Sequence, residues 1–572
     1  MAKLSFGALA DTWRLFTPTE KRNIAFYILG IMLYKFGLEA FNGSITALAT
    51  NRYDWEQDQA EAAGISRQVN TFQRVGLLQA LNQTAQCLGS IMIAPLIKRF
   101  PTRSVLGVAV VTFALFTSIL MIVDAATGGN IKPSGVDVSD WGAYYGNYNS
   151  DGMIPIYTFT GIAYGMVELI RRVIPRDIVG GNVQKLRRMD ALVHIFYEIA
   201  GTSGAFCTAL ALIPRLGNNF SFIITPIFFS AAAGSWFMIS TLNFKAVEKD
   251  HLEGAGFGAR MAGYGRAIVQ SLILFGKSVY TGGYILFTSR KYIWLLPGYA
   301  FALYGHRYLE NGIAPVIARR YLRNSAWSQI MVGGSNFGEL LGALFVFLFT
   351  NLINTPMPWL RLDALTLLIV WYLPYWFPTP ISTNPTRFSV NEAWRVAATF
   401  IPISFGWAAG DVSLAAYIQA SLARVEDKNS DVSALGAVMA FLYSTYIVLY
   451  AIFNPVLGAY IDRVDQADRR ARGVSQGDVR PAVRNIAGVQ FTVLAAIVIA
   501  ATFIPRGSFA FNPPALYGEQ LDKDLDDINS INDEKLNDFK QPTDSDDETR
   551  RGQVQFDVDA AVPIKDANTM QK

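Results

Sequence analysis

The sequence predicts an all-α membrane protein, a bundle of twelve transmembrane helices in two pseudo-symmetric six-helix halves. Three observations carry that expectation. Among 572 residues 51% are apolar and only 16% are charged, against about 25% charged in ordinary soluble domains. The apolar residues gather into twelve segments, each long enough to span a bilayer as a helix. Short stretches of the first six segments recur, in order, in the last six.

The segments lie at 23–48, 74–97, 104–124, 153–174, 189–213, 219–243, 292–318, 326–353, 361–377, 393–418, 432–460 and 485–505. Residues 1–22 read as a charged, amphipathic cytoplasmic N-terminus without the apolar core of a removable signal peptide. Residues 23–243 form the first half and 292–506 the second. The linker between them, 244–291, contains an apolar run, Ala267 to Phe287, interrupted by Gln270, Lys277, Thr281 and the pair Gly282-Gly283. That pattern suits an amphipathic helix lying at the membrane surface; a thirteenth span is the competing reading.

The tail, 507–572, is acidic. Residues 519–572 carry 15 Asp and Glu against 7 Lys and Arg, so the net charge of +4 conceals −8 in the tail and +12 elsewhere. Such a composition predicts disorder, and Ser545-Asp546-Asp547-Glu548 reads as a site for an acidic-directed kinase. Both cysteines, Cys87 and Cys207, fall inside apolar segments and read as free buried thiols. Three histidines and two cysteines make no metal-ligand spacing, no phosphate-cradling loop occurs, and no cofactor, enzyme activity or nucleic-acid partner is expected.

Lys and Arg gather on the cytoplasmic side of spans. Lys21, Arg22, Lys98, Arg99, Arg103, Arg171, Arg172, Arg176, Lys185, Arg187 and Arg188 all fall on one side, which places both termini in the cytoplasm. Arg319, Arg320 and Arg323, and the stretch from Asp462 to Arg484, break the rule. Making Ala267 to Phe287 a span would repair both, at the cost of an odd count and an external tail.

The repeat favours twelve. Leu88-Gly89 aligns with Leu341-Gly342, which sets Gln83 on Asn336 and Gln86 on Glu339. Gly161 and Gly165 align with Gly406 and Gly410, Val167 with Val412 and Leu169 with Leu414. Tyr34-Lys35-Phe36-Gly37-Leu38-Glu39-Ala40-Phe41-Asn42-Gly43 of the first span echoes Tyr304-Gly305-His306-Arg307-Tyr308-Leu309-Glu310-Asn311-Gly312 of the seventh. Parallel six-helix repeats are one established transporter architecture.

On these residues the chain resembles the major facilitator superfamily from about residue 20 to 506. The family's turn between the second and third spans is degenerate here: Ala94-Pro95-Leu96-Ile97-Lys98-Arg99-Phe100-Pro101-Thr102-Arg103 keeps Arg99 and Arg103 but lacks both glycines and the aspartate. In the family that aspartate helps lock the outward-facing state, so the same gate is not implied. Tyr304 to Pro315, Val332 to Gly342 and Phe405 to Ser413 are similar to stretches of a fungal group within the superfamily. Sugar-porter and drug-antiporter signatures are absent; Ile199-Ala200-Gly201-Thr202-Ser203-Gly204 lacks the Gly-Pro pairing of antiporters.

Ionisable groups at bilayer depth cost roughly 2.5–3.5 kcal/mol on insertion scales and persist where they face a partner, water or a substrate. Lys35 and Glu39, His306 and Glu310, and His194 and Glu198 are each four apart, on one helix face. Lys35 and Arg307 supply two cations against Glu39, Glu310 and Glu339; one carboxylate is left over, and a carboxylate buried without a cation tends to take up a proton. A cationic substrate would serve equally well. Gln79, Asn82, Gln83 and Gln86 form a polar stripe that reads as a cavity wall, a logic Asn336 and Glu339 continue in the partner helix; Asp411, toward the cytoplasmic end of its helix and without a cation nearby in sequence, is a separate pathway candidate. Arg99, Arg103, Glu168, Arg172, His194 and Glu198 read as a cytoplasmic gate.

The function expected is secondary active transport of a small solute by alternating access, with H+ as coupling ion; a receptor signalling through the acidic tail is the alternative. Asn219-Phe220-Ser221 fits a glycosylation sequon beside a span. Trp141, Tyr144, Tyr145 and Tyr148 resemble an interfacial aromatic belt.

Overall fold

The computed structural model describes residues 16–516 except 66–69, 134, 137, 180–182, 241–256, 350–352, 354, 383, 423–432, 475, 512 and 514–515. The acidic tail with Ser545 therefore lies outside the described residues.

The chain opens with α1 (Pro18–Ala62), set by a capping box in which Thr17 Oγ1 accepts from Glu20 N at 3.2 Å and Glu20 Oε2 accepts from Thr17 N at 2.7 Å. Each side chain satisfies an amide that the first turn leaves free. There follow α2 (Thr71–Arg99), α3 (Thr102–Ala126), α4 (Met153–Val179), α5 (Val183–Cys207), α6 (Ile224–Phe237) and α7 (Phe257–Thr288). The next helical segment, 296–321, is a rod in which α-helical turns at Ala302–Tyr308 and Ala314–Val316 alternate with π-turns at Leu296–Phe301, Leu309–Ile313 and Ile317–Tyr321. After it come α8 (Ser328–Phe349), α9 (Met357–Leu367), a two-stranded hairpin of β1 (Pro380–Ile381) and β2 (Asn384–Phe388), α10 (Val390–Leu422), α11 (Ala434–Arg472) and α12 (Gln490–Ala501). Seven helices among the described residues are long and apolar enough to cross a membrane, as a multi-pass integral membrane protein requires.

Buried apolar side chains divide into two main cores. One is made wholly of residues between Phe16 and Ile239. The other runs from Ile285 to Leu516 and takes only Phe72 and Ala209 from earlier in the chain. Close packing between the two groups runs through small residues, as helix pairs in lipid favour. A Cβ on Gly76 of α2 would come within 2.7 Å of the Asn454 carbonyl of α11. A Cβ on Gly333 of α8 would overlap the Phe206 ring of α5.

Half of the repeat alignment is visible in this packing. Gly89 of α2 lies against the Ile162 carbonyl of α4, and Gly342 of α8 lies against the Phe405 carbonyl of α10. The second alignment does not keep its facing: Gly161 and Gly165 face the Asn82 and Gln86 carbonyls of α2, whereas Gly406 and Gly410 face Asp363, Thr366 and Leu360 on α9.

α7 packs against α2 and α11. Tyr264 Oη donates to Met92 O at 2.8 Å, and Gly282 and Gly283 sit on the Ala437 carbonyl and Phe441. Met261, Val269, Leu272, Ile273, Tyr280 and Phe287 leave its other face apolar and exposed.

Two surface expectations change. Asn219 is 2% exposed, and its Nδ2 donates to Asp124 Oδ2 at 2.7 Å and to the Tyr144 carbonyl at 3.2 Å, so the sequon asparagine is committed inside the fold. Trp141 is buried, and Tyr148 and Tyr145 lie 3.8 and 5.8 Å from the buried Arg52 guanidinium. These three aromatics pack a loop onto α1 instead of forming a belt.

Candidate functional site

The intramembrane charges expected from the sequence meet between the two cores. On α1, Lys35 Nζ lies 2.5 Å from Glu39 Oε1 and 4.6 Å from the centre of the Tyr197 ring on α5. Gly201, one turn past Tyr197, makes room for this contact. A Cβ there would come within 2.6 Å of Lys35 Cε and 3.3 Å of Asn336 Nδ2 on α8. Lys35 and Asn336, from opposite cores, thus share one gap.

On the rod, Glu310 pairs with the residue three before it and not with the one four before. Arg307 Nη1 meets Glu310 Oε2 at 2.9 Å, three residues apart, and Ser335 Oγ donates to Glu310 Oε1 at 2.6 Å while bonding Ser404 at 2.7 Å. His306 does not pair with Glu310, although their spacing predicted a shared face. Its Nε2 lies 2.7 Å from Asp363 Oδ1 on α9, and its ring stacks on Trp407 at 5.0 Å. Residues three and four apart are both within reach on a helix; Glu310 takes Arg307, and Asp363 of another helix takes His306.

Glu198 was expected at the cytoplasmic gate. It is instead 3% exposed and within electrostatic reach of Lys35, Glu39, Arg307 and Glu310. Its Oε2 has no hydrogen-bond partner among the described residues, and neither does Asn336 Nδ2. Glu339 is half-buried and acted on by Glu198, Glu310, Arg307 and Lys35. Arg307 has 44% of its side chain exposed, the most open of the set. The cluster thus draws on α1, α5, the rod and α8.

The amide stripe of α2 is largely satisfied by neighbouring helices. Gln79 Nε2 donates to Thr46 Oγ1 of α1 at 2.8 Å and Asn82 Nδ2 to Tyr157 O of α4 at 2.7 Å. Gln86 Nε2 donates to Asn82 Oδ1 at 2.9 Å, and Gln83 Nε2 to Gln86 Oε1 at 3.2 Å. Gln83 and Gln86 are half-buried. Asp411 is half-buried on α10, one turn beyond Trp407.

Of the other gate residues, Glu168 pairs with Arg171 at 2.5 Å and accepts from Tyr34 Oη at 3.3 Å; Arg171 also covers Tyr197 at 4.5 Å, on a ring that Lys35 covers too. Arg103 Nη1 donates to the Ile239 carbonyl and ties α3 to the end of α6. His194 Nε2 is buried without a partner among the described residues. The side chains of Arg99 and Arg172 lie outside the described residues.

A second network lies where α1 ends and α2 begins. α1 and α11 continue past their apolar stretches, and these polar overhangs meet the end of the rod. Asp54 of α1 accepts from Arg319 Nε at 2.6 Å, Arg320 Nη1 at 2.6 Å, Arg320 Nη2 at 3.0 Å and Thr71 Oγ1 at 2.6 Å. Arg320 also lies 3.4 Å from Asp465 of α11, which lies 3.1 Å from Arg469. Asp462 of α11 accepts from Phe72 N at 3.1 Å and Gln73 N at 2.8 Å, capping the start of α2 from the opposite core. Of the arginines that broke the charge rule, Arg319, Arg320 and Arg469 are thus members of this latch. Hydropathy could not find it, because the overhangs read as loops.

No family model matches the chain, and no curated protein matches it. Solved structures do. A D-xylose-proton symporter superposes with a TM-score of 0.53 at 12% identity, covering 86% of this chain and 98% of the other. A bacterial homologue of the human drug peptide transporters gives 0.53 at 11% identity, covering 88% and 99%. A partially occluded inward-open xylose transporter from E. coli gives 0.50 at 11% identity, covering 85% and 100%. The likeness is one of fold, shared with these sugar and peptide transporters.

Proposed function

We propose that the chain is a secondary transporter that moves a small solute by alternating access. The observation that carries this is the buried charge cluster contributed by both cores, since only a site that the two halves share is exposed to alternate sides as they rock. Residues 23–243 and 292–506 act as six-helix halves, twelve spans in all. α7 lies along the membrane surface, with its exposed apolar face toward lipid. The Asp54–Arg320 latch closes one face, and both termini are cytoplasmic, which makes that face the outer one. The fungal stretches remain a resemblance within this reading.

Coupling to H+ rests on the charge balance. Lys35 and Arg307 each have a carboxylate partner in Glu39 and Glu310. That leaves Glu198 and Glu339, one from each half, without a cation of their own, and protonation relieves the cost of burying them. Glu339→Gln and Glu198→Gln variants reconstituted in proteoliposomes test the reading. Each should lose proton-coupled uptake at least tenfold while remaining monodisperse; flux equal to the parent in both variants removes Glu198 and Glu339 from the mechanism.

A further inference from the structure

The cluster has unmet polar capacity of both signs. On the acceptor side, Glu198 Oε2 is buried and unpartnered among the described residues. On the donor side, Asn336 Nδ2 is buried and likewise unpartnered among them, beside Gly201, which lies three residues beyond Glu198 on the same helix. Arg307 commits Nη1 to Glu310 and keeps 44% of its side chain exposed. A guanidinium carries five N–H donors in a fork that matches a carboxylate. Buried polar atoms left without partners each cost about 1–3 kcal/mol, more when charged, a cost that a ligand matching both atoms would remove.

Ligands of a single charge complete it poorly. A simple cation satisfies Glu198 but leaves the Asn336 amide unmatched and stands close to Arg307 and Lys35. A simple anion matches Arg307 and Asn336 but faces Glu198 and Glu339. An uncharged solute donates and accepts without neutralising Glu198. We propose that the cluster seats a small zwitterionic solute of the amino-acid or short-peptide class, its ammonium on Glu198 and its carboxylate on Arg307 and the Asn336 amide. Glu339 is then left for the coupling proton. This assignment rests on the transport reading and deepens it by naming the substrate class.

The test is thermal unfolding of the purified full-length chain with the standard amino acids and a set of dipeptides, each at about 10 mM, a concentration that stabilises any state binding in the millimolar range. Each amino acid is paired with its decarboxylated amine and its deaminated acid, and glucose is the uncharged probe. At least one zwitterion should raise the melting temperature by several degrees while its two single-charge analogues leave it unchanged. Affinity for that zwitterion should fall at least tenfold in Glu198→Gln and Arg307→Gln. Glu198→Asp should keep part of it, which separates lost charge from lost folding. Stabilisation by amines alone, acids alone or glucose alone, or by no member of the panel, overturns the proposal. Proteoliposome flux distinguishes the two failures: uptake of an amine, acid or sugar that requires Glu339 leaves transport standing and removes only the zwitterion.

Discussion

Single residues set how closely helices approach and which polar atoms remain free. A Cβ on Gly89 would strike the Ile162 carbonyl, which belongs to backbone and cannot swing aside. Gly89→Ala should therefore lower stability by about 1–3 kcal/mol, the usual cost of overpacking, read as a drop in melting temperature of the purified protein. Gly201 is the contrasting case: its nearest neighbour is the end of the flexible Lys35 side chain, so the damage of Gly201→Ala should fall on the site more than on the fold. Asn219 donates three hydrogen bonds inside the protein. Expression in a glycosylating host should leave it unmodified, with no change in mass after glycosidase treatment, whereas Asn219→Ala removes the donor to Asp124 Oδ2 and should destabilise the protein. A three-residue motif describes what an enzyme accepts; it says nothing about whether the nitrogen is already occupied.

At the scale of elements, the polar ends of α1 and α11 matter as much as their apolar middles. Asp54 holds two arginines of the rod and a threonine of α2. Removing one partner of a buried ion pair typically costs about 3–5 kcal/mol, enough to move a two-state equilibrium by more than a hundredfold. Asp54→Ala should shift the population toward a state open at the latched face, seen as longer distances between spin labels placed on α1 and on the rod there. An unchanged distance distribution would mean that the network only supports local folding. The sequence located α1 and α11 through their apolar stretches, 23–48 and 432–460, but hydropathy reports what touches lipid, and helices continue beyond it. The ion pair that centres the latch joins Asp54 to Arg320, 266 positions apart, a pairing no local spacing contains. The rod shows the converse limit: His306, Arg307 and Glu310 were legible as charged, yet the partner of His306, Asp363, comes from another helix.

Across the whole molecule, the two separate cores account for how much of the architecture was readable. Gly89 and Gly342 play the same packing role, each against a carbonyl of a neighbouring helix, while Gly161 and Gly406 serve different neighbours. If the cores fold as units, residues 1–248 and 249–572 expressed as separate chains should copurify through one tag, held by the α2–α11 and α5–α8 contacts and the latch; failure to copurify would mean that the covalent linker is required for assembly. The cap that Asp462 places on α2 has a kinetic consequence. Separating the halves at that face strips a helix start of its acceptor at the same moment that Asp54 loses Arg320. These losses fall together and water repays them only once the gap is wide enough to enter, so a slightly parted face gains nothing. The face is therefore expected to click between shut and open, with a lag set by wetting, and to leak little in between.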